Sequence, residues 1–420
     1  MKRMIYIGHA YHRKTQSVSF ILELFRQKYD ITFLSAEVVR KPGGELEQVI
    51  TENLHMLSGQ HFDLLVCLQV MPSIQNLKKY ISFDHAVFFP MADFYYLAPE
   101  DVRQPIWREY RDFQIISFSR KVHEELKAYG YSSHCFQYFP EPPAQWETGD
   151  SHAAFFWQRI TTVNVLVFQK LMRNYPLTEL HLHRALDPGE QYVPLPYPLQ
   201  GDLRIFHSSW FEHKEDMLRD LDRCGIYFAS RHCEGIGLSY LEAMARGRCV
   251  IAPDETTFNE YIIPGKTGFL YPDQSGAQLK PLEISGEQVR QIQQNTRQYM
   301  QDGYREWCGK RNSILTLVET APELDTARQK RLEPVWKKTE TVFADNARTG
   351  SIQIPKNSIL QKIRKWLRMQ KMDSAEYQII GTRRLLGIPV YTKVERTDRK
   401  MIYIFLLGLP LLTIEFRPQE

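Results

Sequence analysis

The sequence predicts an α/β protein made of two doubly wound, largely parallel-sheet domains with a C-terminal extension. Three observations carry that expectation. Apolar runs of strand length alternate with helical or polar segments through most of the chain, the pattern of a parallel sheet flanked by helices. A proline-rich segment, Phe139-Pro140-Glu141-Pro142-Pro143, interrupts the alternation, which restarts at Ala153. Gly225 to Tyr271 then reads as a sharply punctuated strand, loop, helix, strand and loop. The expected division is residues 1–142, 143–330 and 331–420.

In the first domain, strands are expected at Met4–Ile7, Ile31–Leu34, Leu64–Leu68, Ala86–Phe89 and Gln114–Phe118, with Tyr138 near the end of a last short one. Phe20, Ile21, Leu24 and Phe25 give a helix an apolar face after a cap at Thr15 or Ser17. Ser119 to Tyr129 reads as a second capped helix, stopped by Gly130. In the second domain, strands are expected at Ala153–Trp157, Leu180–Leu182 and Leu203–Phe206. Helices are expected at Thr161–Met172 and Lys214–Leu221. Gly286–Tyr304 and Trp307–Val318 read as two further helices, and residues 319–350 as a charged linker.

The densest chemistry lies in the central stretch. Ile226–Ala229 and Cys249–Ala252 are buried-strand runs, and Leu238–Arg246 carries apolar residues at helical spacing until Gly247 stops it. In such a unit, ligands bind outside the carboxyl ends of the strands. That position holds Glu234, Gly235, Ile236 and Gly237, just before the helix begins at Leu238. Free N–H groups at a helix N-terminus favour an anion, and glycines let a phosphate approach the backbone. Glu242 follows eight residues after Glu234. The residues point to a nucleoside-diphosphate site with two hydroxyl-binding carboxylates.

The stretch Glu234-Gly235-x-Gly237-Leu238-x-x-Leu241-Glu242-Ala243-Met244-Ala245-x-Gly247, continuing through Pro253, Asn259-Glu260, Gly265 and Gly268, resembles the E-x7-E signature of retaining glycosyltransferases. These enzymes have the GT-B fold, and family 4 (group 1) is the nearest group. The resemblance implies two Rossmann-like domains facing a central cleft, with the second holding a nucleotide-sugar donor. Glu242 would accept both ribose hydroxyls and Glu234 would hold the sugar hydroxyls. The N–H groups of Gly235, Ile236, Gly237 and Leu238 would meet the β-phosphate, and the loop from Thr256 through Asn259 and Glu260 would touch the sugar or phosphates. Arg159 matches the family's diphosphate arginine. The lysine that normally follows is absent, and backbone N–H groups or Arg231 would take its share. Asp93, after the strand at Ala86–Phe89, matches an acceptor-side acid; an aspartate there also caps the following turn. Of the family's glycine-rich turn only Gly8 remains, with His12, Arg13, Lys14 and Thr15 in place of the rest, either as a polar rim of the cleft or as a solvated basic loop. The implied chemistry retains anomeric configuration and uses neither metal nor cofactor beyond the donor. Asp220-Leu221-Asp222 has the spacing of a metal motif but ends a helix, where a solvated helix end is the expectation.

Composition sets the remaining bounds. The 420 residues carry a net charge of +4, with 43% hydrophobic and 24% charged residues, which excludes wholesale disorder and gives no argument for nucleic acid. Six cysteines lack metal-like spacing, so a reducing, cytoplasmic setting is expected. The N-terminus reads directly as a strand, without a signal-peptide core. No run reaches the ~20 apolar residues of a membrane span. Asn357 to Met372 sets Ile359, Leu360, Ile363, Trp366 and Leu367 mostly opposite Lys362, Lys365, Arg368 and Lys371. Such a helix lies in a membrane interface or docks on its own protein. A motif then occurs twice, Leu385-Leu386-Gly387-Ile388-Pro389 and Leu406-Leu407-Gly408-Leu409-Pro410, read as paired β-units joined by a charged turn at Glu395–Lys400.

The functional expectation is a glycosyltransferase acting on a glycan or lipid-linked acceptor in bacterial-type surface polysaccharide synthesis, cytoplasmic or peripheral on the inner membrane face. A nucleotide-sugar epimerase of related fold and a non-catalytic subunit are the alternatives.

Overall fold

Strands rich in Val, Ile, Leu and Phe that are apolar on both faces need cover on both faces, and they assemble here into two parallel sheets. The computed structural model describes residues 1–15, 17–40, 46–95, 107–187, 190, 203–209, 211–272, 279–331, 377–385, 388–396, 401–406 and 409–415. Two compact units are present, Met1–Thr339 and Glu340–Glu420.

The first sheet contains β1 (Lys2–His9), β2 (Tyr29–Arg40), β3 (Leu46–Ile50), β4 (Gln60–Leu68), β5 (Ile81–Phe89), β6 (Gln114–Ser117) and β7 (Ser133–Cys135). Their order is β3-β2-β1-β4-β5-β6-β7, with only β3 antiparallel to its neighbour. The second sheet contains β8 (Asp150–Gln158), β9 (Glu179–Arg184), β10 (Arg204–Ser208), β11 (Cys224–Phe228), β12 (Cys249–Pro253) and β13 (Gly268–Tyr271). Its order is β10-β9-β8-β11-β12-β13, parallel throughout. Strand order reverses between β1 and β4 in one sheet and between β8 and β11 in the other. The crevices at those two points are where such sheets bind ligands.

Several elements depart from the sequence expectation. β3 and β13 were not anticipated: each is short, and β3 sits at an edge, where pairing rather than apolar periodicity makes a strand. The last strand of the first sheet ends at Cys135, three residues before Tyr138, whose ring instead stacks on Phe20 at 3.9 Å. The two helices expected at 286–304 and 307–318 are one helix, Gly286–Lys310, followed by a short one, Ser313–Leu317. The reason is that Val289, Ile292, Gln293, Thr296, Met300, Gly303 and Trp307 keep one buried face across the expected break.

That long helix joins the halves of the first unit. Its start packs on β8, β11 and β12, and Trp307 at its far end meets Tyr138 and Phe20 of the first half at 5.4 and 6.0 Å. Beyond it, Glu319 binds Lys2 at 2.9 Å, Lys28 at 2.7 Å and the Tyr29 hydroxyl. The segment entering β8 is fixed by two buried polar side chains. Gln293 accepts from Gly149 N and donates to Gly149 O. Arg248, 1% exposed, donates to the carbonyls of Arg246, Asp222, Cys224 and Glu147 at 2.6 to 2.9 Å.

In the second unit β14 (Tyr377–Leu385), β15 (Ile388–Arg396), β16 (Met401–Leu406) and β17 (Leu409–Glu415) form an antiparallel sheet in sequential order. The repeated motif marks its two equivalent hairpins: Leu385 pairs with Ile388, and Leu406 with Leu409. Arg396 of β15 pairs with Met401 of β16, and 397–400 of the expected charged turn lie outside the described residues. The basic helix expected over 357–372 lies outside the described residues.

Arg248→Met would leave four carbonyls, that of Cys224 fully buried, without their donor. At about 1–3 kcal/mol for a buried group left unsatisfied, and with partial relaxation, a loss of about 3 kcal/mol is expected. Urea unfolding monitored by circular dichroism checks this; a midpoint unchanged from wild type rules out the structural role.

Candidate donor site at the carboxyl edge of the second sheet

The site is built where β8 and β11 separate. Arg159 follows β8 directly, and Arg231 lies three residues beyond the end of β11. The loop Glu234–Gly237 then delivers the chain into the helix Leu238–Ala245. Gly237 precedes that helix with φ of 81°, in the left-handed region, and a side chain there would strike the Tyr240 ring. The helix therefore begins on glycine for a steric reason. Its first N–H groups have no intrahelical partner by position. A side chain at Gly235 would come within 2.7 Å of Asp93 Oδ1 and 3.0 Å of Met91 Cβ. Asp93 belongs to the first half of the unit, so the glycine loop and the end of β5 are in direct apposition.

Arg231 is the hub. Its Nη1 donates to Asp93 Oδ2 at 3.0 Å and lies 4.0 Å from Glu234 Oε2. Its Nε donates to Asp187 Oδ2 at 2.9 Å, and Nη2 binds the same oxygen. Arg159 donates to Asp187 Oδ1 from Nε at 3.1 Å and Nη2 at 2.9 Å, with its guanidinium 5.4 Å from the Trp157 ring centre. Burial works against the Arg231 cation, but Glu234, Asp187 and Asp93 outweigh it and raise its pKa.

Glu234 is 6% exposed. Burial raises its pKa from the ordinary 4.5; Arg159 and Arg231 pull it down, and Asp93 and Asp187 push it up. Ile236 is buried, and Leu238 is half-buried at the first helical turn. Glu242 stands on the same helix and is paired with Lys214, the first residue of the helix Lys214–Arg223. A lysine thus reaches the site, but from a different element than the one expected to carry it.

Asn259 and Glu260 bond to groups outside this cluster. Asn259 is exposed and bonded to Asp254 at 3.1 Å. Glu260 accepts from Arg120 N at 2.6 Å, Ser119 Oγ at 2.8 Å, Lys121 N at 3.4 Å and Thr256 Oγ1 at 2.9 Å. It thereby caps the helix Arg120–Ala128 of the first half, where orphan N–H groups attract a carboxylate. In the structure it ties the two halves of the unit together. Asp222 of the Asp220-Leu221-Asp222 triplet pairs with Arg246 while Leu221 is buried.

Across the crevice, the end of β1 leads into the helix Ala10–Thr15. His12 shares hydrogen bonds with Ser17 Oγ at 2.8 Å and Gln69 Oε1 at 2.7 Å, spanning the β1–β4 switch point. Burial lowers its pKa, while Gln69 and Asp93 raise it. Thr15 donates to Tyr11 O. Gly8 lies against the Tyr6 ring.

Sequence reading did not single out Asp187, Glu190 or Lys214. All three stand near carboxyl ends of strands or at a helix start, which is the positional signal that could have found them. A cleft lined by Arg184, His207, Ser208 and Ser209 opens at the ends of β9 and β10.

Residues 199–299 match the family model "Glycosyl transferases group 1". The fold is similar to sucrose-phosphate synthase from Thermosynechococcus elongatus, with 13% identity, a TM-score of 0.52, and coverage of 76% of this chain and 98% of that one. It is also similar to Anabaena Alr3699/HepE, solved with UDP and glucose, with 12% identity, a TM-score of 0.50, and coverage of 74% and 100%. No curated protein matches in sequence. The fold is GT-B, with two Rossmann-like domains. Together with the match over 199–299, it defines the chain by class as a glycosyltransferase.

The raised pKa of Glu234 sets a direction for stability against pH. The folded carboxyl keeps its proton at pH values where the unfolded chain, near 4.5, has released it. Its contribution is full below that value and falls as pH rises through the folded one. The unfolding free energy of wild type relative to Glu234→Gln should therefore decline from about pH 4.5 upward. Urea titrations at several pH values test it; a difference that grows with pH contradicts the burial-dominated reading.

Proposed function

We propose that the protein is a retaining, metal-independent glycosyltransferase that moves a sugar from a nucleoside-diphosphate sugar to a glycan or lipid-linked acceptor. The observation that carries the reading is the convergence of two guanidiniums, a glycine-entered helix N-terminus and the carboxylates of Glu234 and Glu242 at the β8–β11 switch point.

Each part has a place in the chemistry. Glu242 accepts the two ribose hydroxyls, exchanging Lys214 for them; an ionised carboxylate has the acceptor capacity for both. The cleft beside Arg184 and His207 has room for the base. Arg159, Arg231 and the N–H groups of Gly235 to Leu238 hold the diphosphate. As the glycosidic bond breaks, charge collects on the β-phosphate, where pre-oriented donors in a shielded site stabilise it. Two guanidiniums beside that charge supply the neutralisation that a divalent cation gives elsewhere, which supports the metal-independent reading. No cofactor beyond the donor is proposed.

Glu234, buried below the arginines, holds the sugar hydroxyls. Asp93 faces the same arginine from the first half and marks the acceptor side. On this reading the leaving phosphate itself accepts the acceptor's proton, so neither glutamate serves as general acid. The acceptor class and a role in surface polysaccharide assembly at the inner membrane face rest on the family resemblance and the basic tail. Among the described residues, no helix is long and apolar enough to cross a membrane.

A thermal-shift panel of nucleotide sugars identifies the donor, since a ligand that binds the native state raises its melting temperature. Glu242→Ala should then weaken binding of the selected nucleotide about 10- to 100-fold, the equivalent of about 1.5–3 kcal/mol for hydrogen bonds to a charged group. Unchanged binding and turnover in that variant would remove the ribose assignment.

A further inference from the structure

Two carboxylates of one loop already occupy the cations and donors at which a diphosphate would bind. Asp187 and Glu190 stand three residues apart after β9. Asp187 receives four N–H contacts, two on Oδ1 from Arg159 and two on Oδ2 from Arg231. Glu190 Oε2 accepts from Thr161 N at 2.8 Å and from Thr161 Oγ1 at 2.6 Å, on the turn that follows β8. Asp187 N ties the loop to that turn by donating to Arg159 O at 2.8 Å, and Glu190 N donates within the loop to Asp187 O at 3.1 Å. Tandem anions on two guanidinium forks, a backbone N–H and a hydroxyl reproduce the recognition pattern of linked phosphates.

We propose that Asp187 and Glu190 form an internal diphosphate mimic, which holds Arg159, Arg231 and Thr161 and is displaced when the donor's diphosphate enters. The mimic rests on this geometry alone; the identity of the displacing ligand rests on the nucleotide-sugar reading above.

The physical case is one of exchange. Arg159 and Arg231 side chains are only 18% and 24% exposed, and a shielded guanidinium without a partner is costly. Replacing carboxylate by phosphate keeps both cations paired throughout. The mimic also favours a substrate class. A diphosphate has two anionic groups with which to replace both carboxylates, whereas a monophosphate replaces one and leaves the other competing. Binding is weakened by the fraction of time the mimic is in place. Its removal therefore tightens binding, whereas a carboxylate that merely orients the arginines would have the opposite effect when removed.

The test uses the full chain, with Asp187→Asn, Glu190→Gln and the double variant, titrated calorimetrically with inorganic pyrophosphate, with UDP, GDP and ADP, and with the corresponding monophosphates. Asp187→Asn should bind pyrophosphate about tenfold more tightly if the site of the wild-type chain is open about a tenth of the time. Glu190→Gln, at an exposed side chain that leaves the fold intact, should show a smaller gain, and diphosphates should gain more than monophosphates. If Asp187→Asn melts well below wild type, Glu190→Gln alone decides. Equal or weaker pyrophosphate binding in the folded variants overturns the mimic. Tighter pyrophosphate binding with no nucleoside diphosphate bound upholds the mimic and rejects the nucleotide-sugar reading. Nucleoside-diphosphate binding by wild type, with no tightening in the variants, does the reverse.

Discussion

The position of one guanidinium organises the first unit. Arg231 emerges from β11 of the second sheet and reaches Asp93 at the end of β5 in the first, while its other edge is taken by Asp187 and Glu234 lies below it. A cation so enclosed must be matched by nearby anions, so three segments distant in sequence are obliged to converge. Gly235 meets the same constraint sterically, since its missing side chain makes room for Asp93. The two sheets are thus brought together at the site by charge and by close backbone approach, and farther away by the Trp307 cluster and the Glu260 cap.

This division of labour explains why the site is polar yet shielded. Packing along Gly286–Lys310 and the aromatic contacts of Phe20, Tyr138 and Trp307 carry the apolar burial that holds the halves together. The crevice itself is thereby relieved of that duty and can keep its charged groups. Glu234 shows the electrostatic consequence: burial moves its proton affinity upward even with two arginines beside it. Its charge depends on what else occupies the arginines, so it is coupled to whichever anion sits on them.

The fold was legible in the sequence because parallel strands buried on both faces leave continuous apolar runs, as at Met4–Ile7 and Leu64–Leu68, and because Gly237 and Gly247 punctuate the helix between β11 and β12. What was not legible depended on partners remote in sequence. β3 is a strand because β2 offers it an edge. Glu260 bonds the N–H groups of Arg120 and Lys121, more than a hundred residues earlier in the chain, which no local pattern reports. Lys214 could not be assigned to Glu242 from spacing alone, because the two helices that carry them meet only after β11 and the helix Leu238–Ala245 are in place. Local pattern identifies elements and the shape of the central loop; it does not report which carboxylate finds which cation.

That limit bears on how the site is read. By sequence, the glutamates of the central motif stood out and the arginines needed a missing lysine to complete them. By structure, the arginines are already complete, paired with Asp187 and Asp93, and Glu242 is paired with Lys214. Arg159, Arg231, Glu234 and Glu242 therefore each have an internal partner of opposite sign. On the proposed function, donor binding is an exchange of ion pairs, not the filling of vacant ones, and its net free energy is a difference between similar terms. Affinity and selectivity are then set as much by the groups that release Arg159, Arg231 and Glu242 as by those that grip the ligand. On the proposed function, the loop after β9 then belongs to the donor site no less than the glycine loop after β11.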